Sequence, residues 1–311
     1  TDMSEVLEKV GLVTLDYTNY GGKDLYLDGS EEELLQIVTD YPKEKYNEVI
    51  VEKSSWPILY HLSDIRGNIV EWLPITKEDS VLEIGAGCGA ITGTLAEKAG
   101  KVDCIDLSKS RSLVNATRNK DCDNINIKVG NFQDVEKCLT EKYDYITLIG
   151  VFEYGSSYIK GKQPYHEFLS IIKKHLKPDG KIVIAIENKY GLKYWAGCKE
   201  DHTATFFSGI EGYVGVDNVR TFSKKELKEI ADTVGLKKQT FYYPYPDYKF
   251  PEMIYSDEYL LSPGELRKNQ RNFDTDRVTL FDEGKAFDSI IRSGLFPVFS
   301  NSFLVEVEKK E

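Results

Sequence analysis

The stretch VLEIGAGCGA, Val81 to Ala90, places three glycines at alternate positions directly after a short apolar run. Gly85 permits a sharp turn out of a strand. Gly87 removes a Cβ so that a ligand can approach the main chain, and Gly89 eases the packing of a following helix. The first free N–H groups of that helix present a positive dipole end to whatever sits there. Asp106, at the end of the next apolar run KVDCIDLS, is placed to hold a ribose. Gly85, Gly87 and Ala90 also satisfy the relaxed dinucleotide pattern GxGxxG/A. The glycines alone therefore leave a dinucleotide, another nucleoside ligand and a plain tight turn open.

Two further features favour S-adenosylmethionine. Glu83 is a carboxylate near the end of an otherwise apolar strand. A buried charge is costly unless partnered. A ligand ammonium would serve, whereas a pyrophosphate would be repelled; Arg66 is the internal alternative. In VGNFQD, Phe132 offers a face for a purine ring, and Asn131 or Asp134 an acceptor for its exocyclic amine. Phe132 as a plain core residue is the competing reading.

Methyl transfer is an in-line displacement in which orientation and exclusion of water do most of the work. A sugar or alcohol hydroxyl also needs a base, because its own pKa lies far above 7. His202, in CKEDHTATFF, is the leading candidate base or substrate contact, with Asp201 and Glu200 beside it. His61, in LYHLSDIR, is a second candidate that faces either cofactor or core. His166 and His175 bracket one helix and read as structural. FYYPYPDYKFPE, dense in prolines and aromatics, reads as a loop. It is either a rigid crossover or an aromatic platform with Asp247 and Lys249 as polar handles.

These residues need a frame. Apolar runs rich in β-branched residues alternate with helix-period segments from SVLEIGAG through KIVIAIEN, which predicts a mostly parallel sheet with helices on both faces. SKKELKEIADTVGL reads as a helix opened by a capping box of Ser223 and Glu226, KKQTFYYPY as a sixth strand and NSFLVEVE as a last one. Residues 1–78, with EEELLQIVTD and LYHLSDIRGNIVEWL, read as an N-terminal helical cap. Residues 79–311 read as the core, with irregular cap insertions at about 189–221 and 247–295.

Bulk properties exclude several classes. A net charge of −11 disfavours a general nucleic-acid binder. Apolar runs such as ITLIGVF and IVIAI are strand-sized, well short of the roughly 18 residues of a membrane span. Five cysteines without a CxxC pair suit reduced cytoplasmic thiols, and no metal is expected. The chain begins with Thr, as expected of a fragment or trimmed piece.

VLEIGAGCG, Asp106, GNF, YDYITLIGVFEY and LKPDGKIVIAIEN, in that order, resemble the class I S-adenosylmethionine-dependent methyltransferases across residues 79–190. The resemblance implies a Rossmann-like, seven-stranded α/β sheet with its last strand antiparallel. It implies that Glu83 holds the methionine ammonium with main-chain carbonyls near Gly85 and Gly150, that Asp106 takes both ribose hydroxyls, and that Leu107 and Phe132 sandwich the adenine. Asn131 stands where many relatives have Asp. ENKYGLKYWAGCKEDHT, YPYPDYKFP and YHLSDIRGNIV resemble a bacterial subgroup associated with, or fused to, glycosyltransferases of surface-polysaccharide synthesis. That implies a sugar or glycan hydroxyl as acceptor. Another small molecule is the rival acceptor; an NAD-dependent oxidoreductase and a non-catalytic scaffold are the rival classes.

Overall fold

The computed structural model describes residues 6–259, 261–269 and 275–309. They divide into two compact units, Thr1–Leu148 with Lys174–Gly180, and Ile149–Lys173 with Lys181–Glu311.

The first unit contains β1 (Leu7–Val10), β2 (Val13–Asn19), α1 (Glu31–Asp40), α2 (Tyr46–Lys53), α3 (Trp56–Leu62), β3 (Ser80–Ile84), α4 (Thr92–Lys98), β4 (Lys101–Asp106), α5 (Lys109–Arg118), β5 (Ile125–Gly130) and nearly all of β6 (Tyr143–Ile149). Its strands lie in the order β1-β2-β5-β4-β3-β6. The β1–β2 pair is antiparallel, and the pairs from β2 to β6 are parallel. Val81, Leu82, Ile84, Val102, Cys104, Ile105, Ile127 and Val129 are all buried. Strands covered on both faces read as continuous apolar runs, which is why these were legible. Leu34, Ile37 and Val38 of α1, Tyr46 and Val49 of α2, and Ile58 and Leu62 of α3 share one apolar cluster with Cys88 of the glycine turn and Val114 of α5. The N-terminal helices thus sheathe the turn.

The second unit contains α6 (Pro164–Lys173), the later part of β7 (Leu176–Glu187), α7 (Lys224–Thr233), β8 (Lys238–Tyr245), β9 (Met253–Ser256), α8 (Glu283–Arg292) and β10 (Ser302–Glu308). β10 runs antiparallel to both β7 and β8, as expected of NSFLVEVE, and β9 is antiparallel on β8. The Ser223–Glu226 capping box is formed at the start of α7. Ser223→Ala should cost about 1 kcal/mol, read as a lowered midpoint in urea unfolding; an unchanged midpoint would show that the cap contributes nothing.

The fold is α/β with a mostly parallel sheet, but the described residues form ten strands rather than seven. β3 to β8 and β10 account for the expected seven. β1, β2 and β9 are additional, so the N-terminal region is not purely helical. In β2, Val13 and Leu15 are buried and alternate with half-exposed Thr14 and Asp16, a strand period. Gly11, at φ +58°, makes the tight β1–β2 turn. LYHLSDIRGNIVEWL is also not one helix. α3 ends at Leu62, and a 3₁₀ turn Asp64–Gly67 and a short helix Asn68–Glu71 follow. The proline-rich run is partly regular, because β8 continues through Pro244 to Tyr245, where only the short β9 lies outside it. Of the stretch 247–295, residues 260 and 270–274 lie outside the described residues; the remainder includes β9 and α8. Among the described residues, no helix is long and apolar enough to cross a membrane.

Candidate functional site

Gly85, Gly87 and Gly89 have φ of +73°, +55° and +79°, the left-handed region that favours glycine. A Cβ on Gly89 would lie 2.4 Å from Asn115 Oδ1 of α5, whereas one on Gly87 would meet nothing within 4 Å. Packing therefore requires the third glycine, while the second borders open space. Asp106 holds this turn in place. Its Oδ2 accepts from the Gly87 N–H at 2.7 Å and its Oδ1 from the Ser108 N–H at 2.9 Å. Burial raises the Asp106 carboxyl above its ordinary pKa even against these two donors.

Glu83 is 4% exposed. Its Oε1 accepts from the Thr92 hydroxyl and from the Cys104 thiol at 3.5 Å. Burial pushes this carboxyl up to about 7. Arg66 attracts it only weakly, and the Arg66 Nη1 donates instead to the Tyr60 carbonyl at 2.8 Å. Neutral donors therefore stand where an internal ion pair was the alternative. Glu83 sits at the carboxyl end of β3, balanced between its two protonation states, as a group awaiting a cation would be.

The adenine contacts expected from the sequence meet a different arrangement. Phe132 is 2% exposed and offers no open face here. Asn131 is the N-cap of a short helix, Phe132–Val135, and its Oδ1 accepts from the Gln133 N–H at 3.0 Å. The Asn131 side-chain oxygen thus serves the start of this helix. Leu107 is half-buried and Asp134 exposed.

His61 is buried in the first unit with its Nε2 2.9 Å from Asp28 Oδ2, and its carbonyl accepts from Arg118 Nη1 at 2.6 Å. Burial lowers its pKa, so the ring is neutral and fixed by structure. His175 Nε2 pairs with Glu136 Oε2 at 2.7 Å, and His166 is half-buried on α6.

In the second unit, Gly150 has φ +67°, and a Cβ on it would lie 2.8 Å from the Tyr248 hydroxyl oxygen. A buried ionic group lies in the same unit. Glu153, in a 3₁₀ turn after β6, and Glu187, the last residue of β7, are each 1% exposed. His202 Nε2 stands 3.6 Å from Glu153 Oε1 and 3.9 Å from Glu187 Oε2. The other ring nitrogen, Nδ1, is 2.8 Å from Glu200 Oε1. Glu200 Oε2 accepts from the His202 and Thr203 N–H groups at 2.9 and 2.7 Å. Burial opposes the charge on His202, but Glu187, Glu153 and Glu200 outweigh it and hold its pKa well above 6.5. These carboxylates favour the protonated form of the ring. Asp201 is likewise engaged: it pairs with Lys193 at 3.1 Å and Lys249 at 3.4 Å and accepts from the Tyr194 hydroxyl. Lys249 also lies 3.3 Å from Glu187 Oε1. Asp247 turns inward on its own loop, accepting from the Lys249 and Phe250 N–H groups at 2.9 and 3.0 Å.

Sequence reasoning missed Glu153 and Glu187. The signal was present in GVFEY and IAIEN, where an acid closes an apolar strand run just as Glu83 does in VLEIG.

Residues 82–182 match the family described as a methyltransferase domain. An uncharacterized methyltransferase of Staphylococcus carnosus is 29% identical over 168 residues, 53% of this chain and 73% of that protein. Ribosomal RNA small subunit methyltransferase A of Alkaliphilus metalliredigens is 32% identical over 138 residues, 43% of this chain and 45% of its own length. Over residues 82–182, about a third of its length, the chain is thus similar to methyltransferases. A solved S-adenosylmethionine-dependent methyltransferase from Archaeoglobus fulgidus is also similar, at 15% identity and a TM-score of 0.47, covering 78% of this chain and 93% of that chain.

Proposed function

We propose that this chain transfers the methyl group of S-adenosylmethionine to a hydroxyl of a small polar acceptor, a sugar or glycan. In this reading Glu83 takes the methionine ammonium with a main-chain carbonyl near Gly85, Asp106 takes the ribose hydroxyls, and Leu107 lies along the adenine. The acceptor side rests on one observation: the buried Glu153–Glu187–His202 group, with Glu153 in the 3₁₀ turn after β6 and Glu187 at the end of β7. Open α/β sheets bind their ligands beyond the carboxyl ends of the strands. A hydroxyl must lose its proton as the methyl arrives, and the buried carboxylates of Glu153 and Glu187 are groups that could receive it. A glycosyltransferase, fused or associated, fits such an acceptor.

One observation favours an amine acceptor instead. Glu153 Oε2 and Glu187 Oε2 are buried without hydrogen-bond partners and would attract an ammonium. The two readings separate in a single assay. The protein is incubated with methyl-labelled S-adenosylmethionine and a panel of sugars, oligosaccharides and amines, and products are identified by mass spectrometry. An O-methyl sugar is expected; transfer to amines alone would overturn the hydroxyl reading.

A further inference from the structure

We propose that Glu153, Glu187 and His202 form a binding site for a divalent cation of the Mn²⁺ or Mg²⁺ kind. The three residues each offer one donor atom, and these atoms all lie within 4.8 Å of one another. Two observations point to a ligand rather than to a cluster of acids. Glu187 Oε2, 3.9 Å from His202 Nε2, belongs to a side chain 1% exposed and has no hydrogen-bond partner. Glu153 Oε2, equally buried, has none either. A buried acceptor left without a donor is costly, so such atoms call for an occupant.

The second observation is the outer support. A metal-bound histidine almost always uses its other ring nitrogen to donate to a carboxylate or carbonyl, which fixes its orientation. Here His202 Nδ1 faces Glu200 Oε1 at 2.8 Å, and Glu200 is itself held by two main-chain N–H groups and by the Tyr213 hydroxyl at 3.2 Å. Glu187 has its own support: its Oε1 accepts from the Tyr248 hydroxyl at 3.2 Å and lies 3.3 Å from Lys249 Nζ, leaving Oε2 free. A cation would displace the Nε2 proton of the ring and take that nitrogen together with the unpartnered carboxylate oxygens.

The charge count agrees. Glu153, Glu187, Glu200 and Asp201 are linked by these contacts to two lysines, Lys193 and Lys249. Once a cation has displaced the His202 proton, the excess is that of two negative charges, which one divalent cation balances. Oxygen ligands with a single imidazole suit Mn²⁺ or Mg²⁺ better than the thiolate-rich sets of structural zinc. Neighbouring ligand atoms around an octahedral ion with bonds of about 2.1 Å are about 3 Å apart. The observed 3.6 and 3.9 Å therefore need only small side-chain movements to close. The remaining coordination positions would go to water or to acceptor oxygens. On the hydroxyl reading above, the ion would acidify the acceptor hydroxyl; the binding itself does not rest on that reading.

Chelator-treated protein is titrated with Mn²⁺, with free ion read by electron paramagnetic resonance in the absence of acceptor. One equivalent should bind. Glu187→Gln should weaken this binding at least tenfold, and Glu200→Gln, which loosens the ring's support, about 10- to 100-fold. Each variant is checked for retained binding of S-adenosylhomocysteine, which reports that the fold survives. No stoichiometric Mn²⁺ binding to the wild type would overturn the proposal, as would equal binding in folded Glu187→Gln. If Mn²⁺ binds but no hydroxyl is methylated, the site stands and the acceptor assignment falls.

Discussion

Asp106→Ala should weaken the binding of S-adenosylhomocysteine by about 10- to 150-fold, the equivalent of about 1.5–3 kcal/mol for a hydrogen bond to a charged group. Two losses combine. The carboxylate proposed to receive the ribose hydroxyls disappears, and so does the acceptor of the Gly87 N–H at 2.7 Å. Asp106→Asn separates them, because its amide oxygen can keep one of the two main-chain bonds while the charge is gone. Its affinity should fall between those of wild type and alanine variant, as measured by calorimetric titration. Equal affinity in all three proteins would remove Asp106 from the ribose site.

Cofactor binding should also release a proton from Glu83. The folded carboxyl is held at about 7 against an ordinary 4.5 by burial. Over that interval the folded protein keeps a proton that the unfolded chain has lost. Glu83 on its own therefore makes stability fall as pH rises from about 4.5 to 7. An ammonium beside the carboxylate reverses the preference and favours the charged form. At about pH 6, binding of S-adenosylhomocysteine should expel close to one proton from this site, and affinity should rise toward about pH 7 and then level. Calorimetry in buffers of different ionisation enthalpy reads the proton directly. Glu83→Gln should lose that release and bind about 10- to 150-fold more weakly. A variant that still released the proton would assign it to another group, and unchanged affinity would take the ammonium away from Glu83.

Much of the cofactor cradle was legible because it is local. A strand, a glycine turn and a helix are contiguous in VLEIGAGCGAITGTLAEK, and the acid closing KVDCIDLS follows within one β-α-β step. The capping box was legible for the same reason. What escaped depends on long-range pairing. β1 and β2 are short and joined at Gly11, and their place is set by β2 pairing with β5, more than a hundred residues on. The Glu153–Glu187–His202 group draws on three separate segments, so no spacing announces it. Asn131 and Phe132 fall between these cases. The family pattern pointed to adenine, yet an asparagine opening NFQDV is also a helix N-cap, and in this structure that local use prevails. His202 was found by residue type, but its charge is set by carboxylates from β7 and from the turn after β6, which residue type cannot show.

The central claim is that the turn at Gly85–Gly89 serves S-adenosylmethionine and not a dinucleotide. Parallel calorimetric titrations of the wild-type chain with S-adenosylhomocysteine and with NADH test it most directly. The account predicts one S-adenosylhomocysteine bound per chain and no heat of binding from NADH. Binding of NADH without S-adenosylhomocysteine would contradict it.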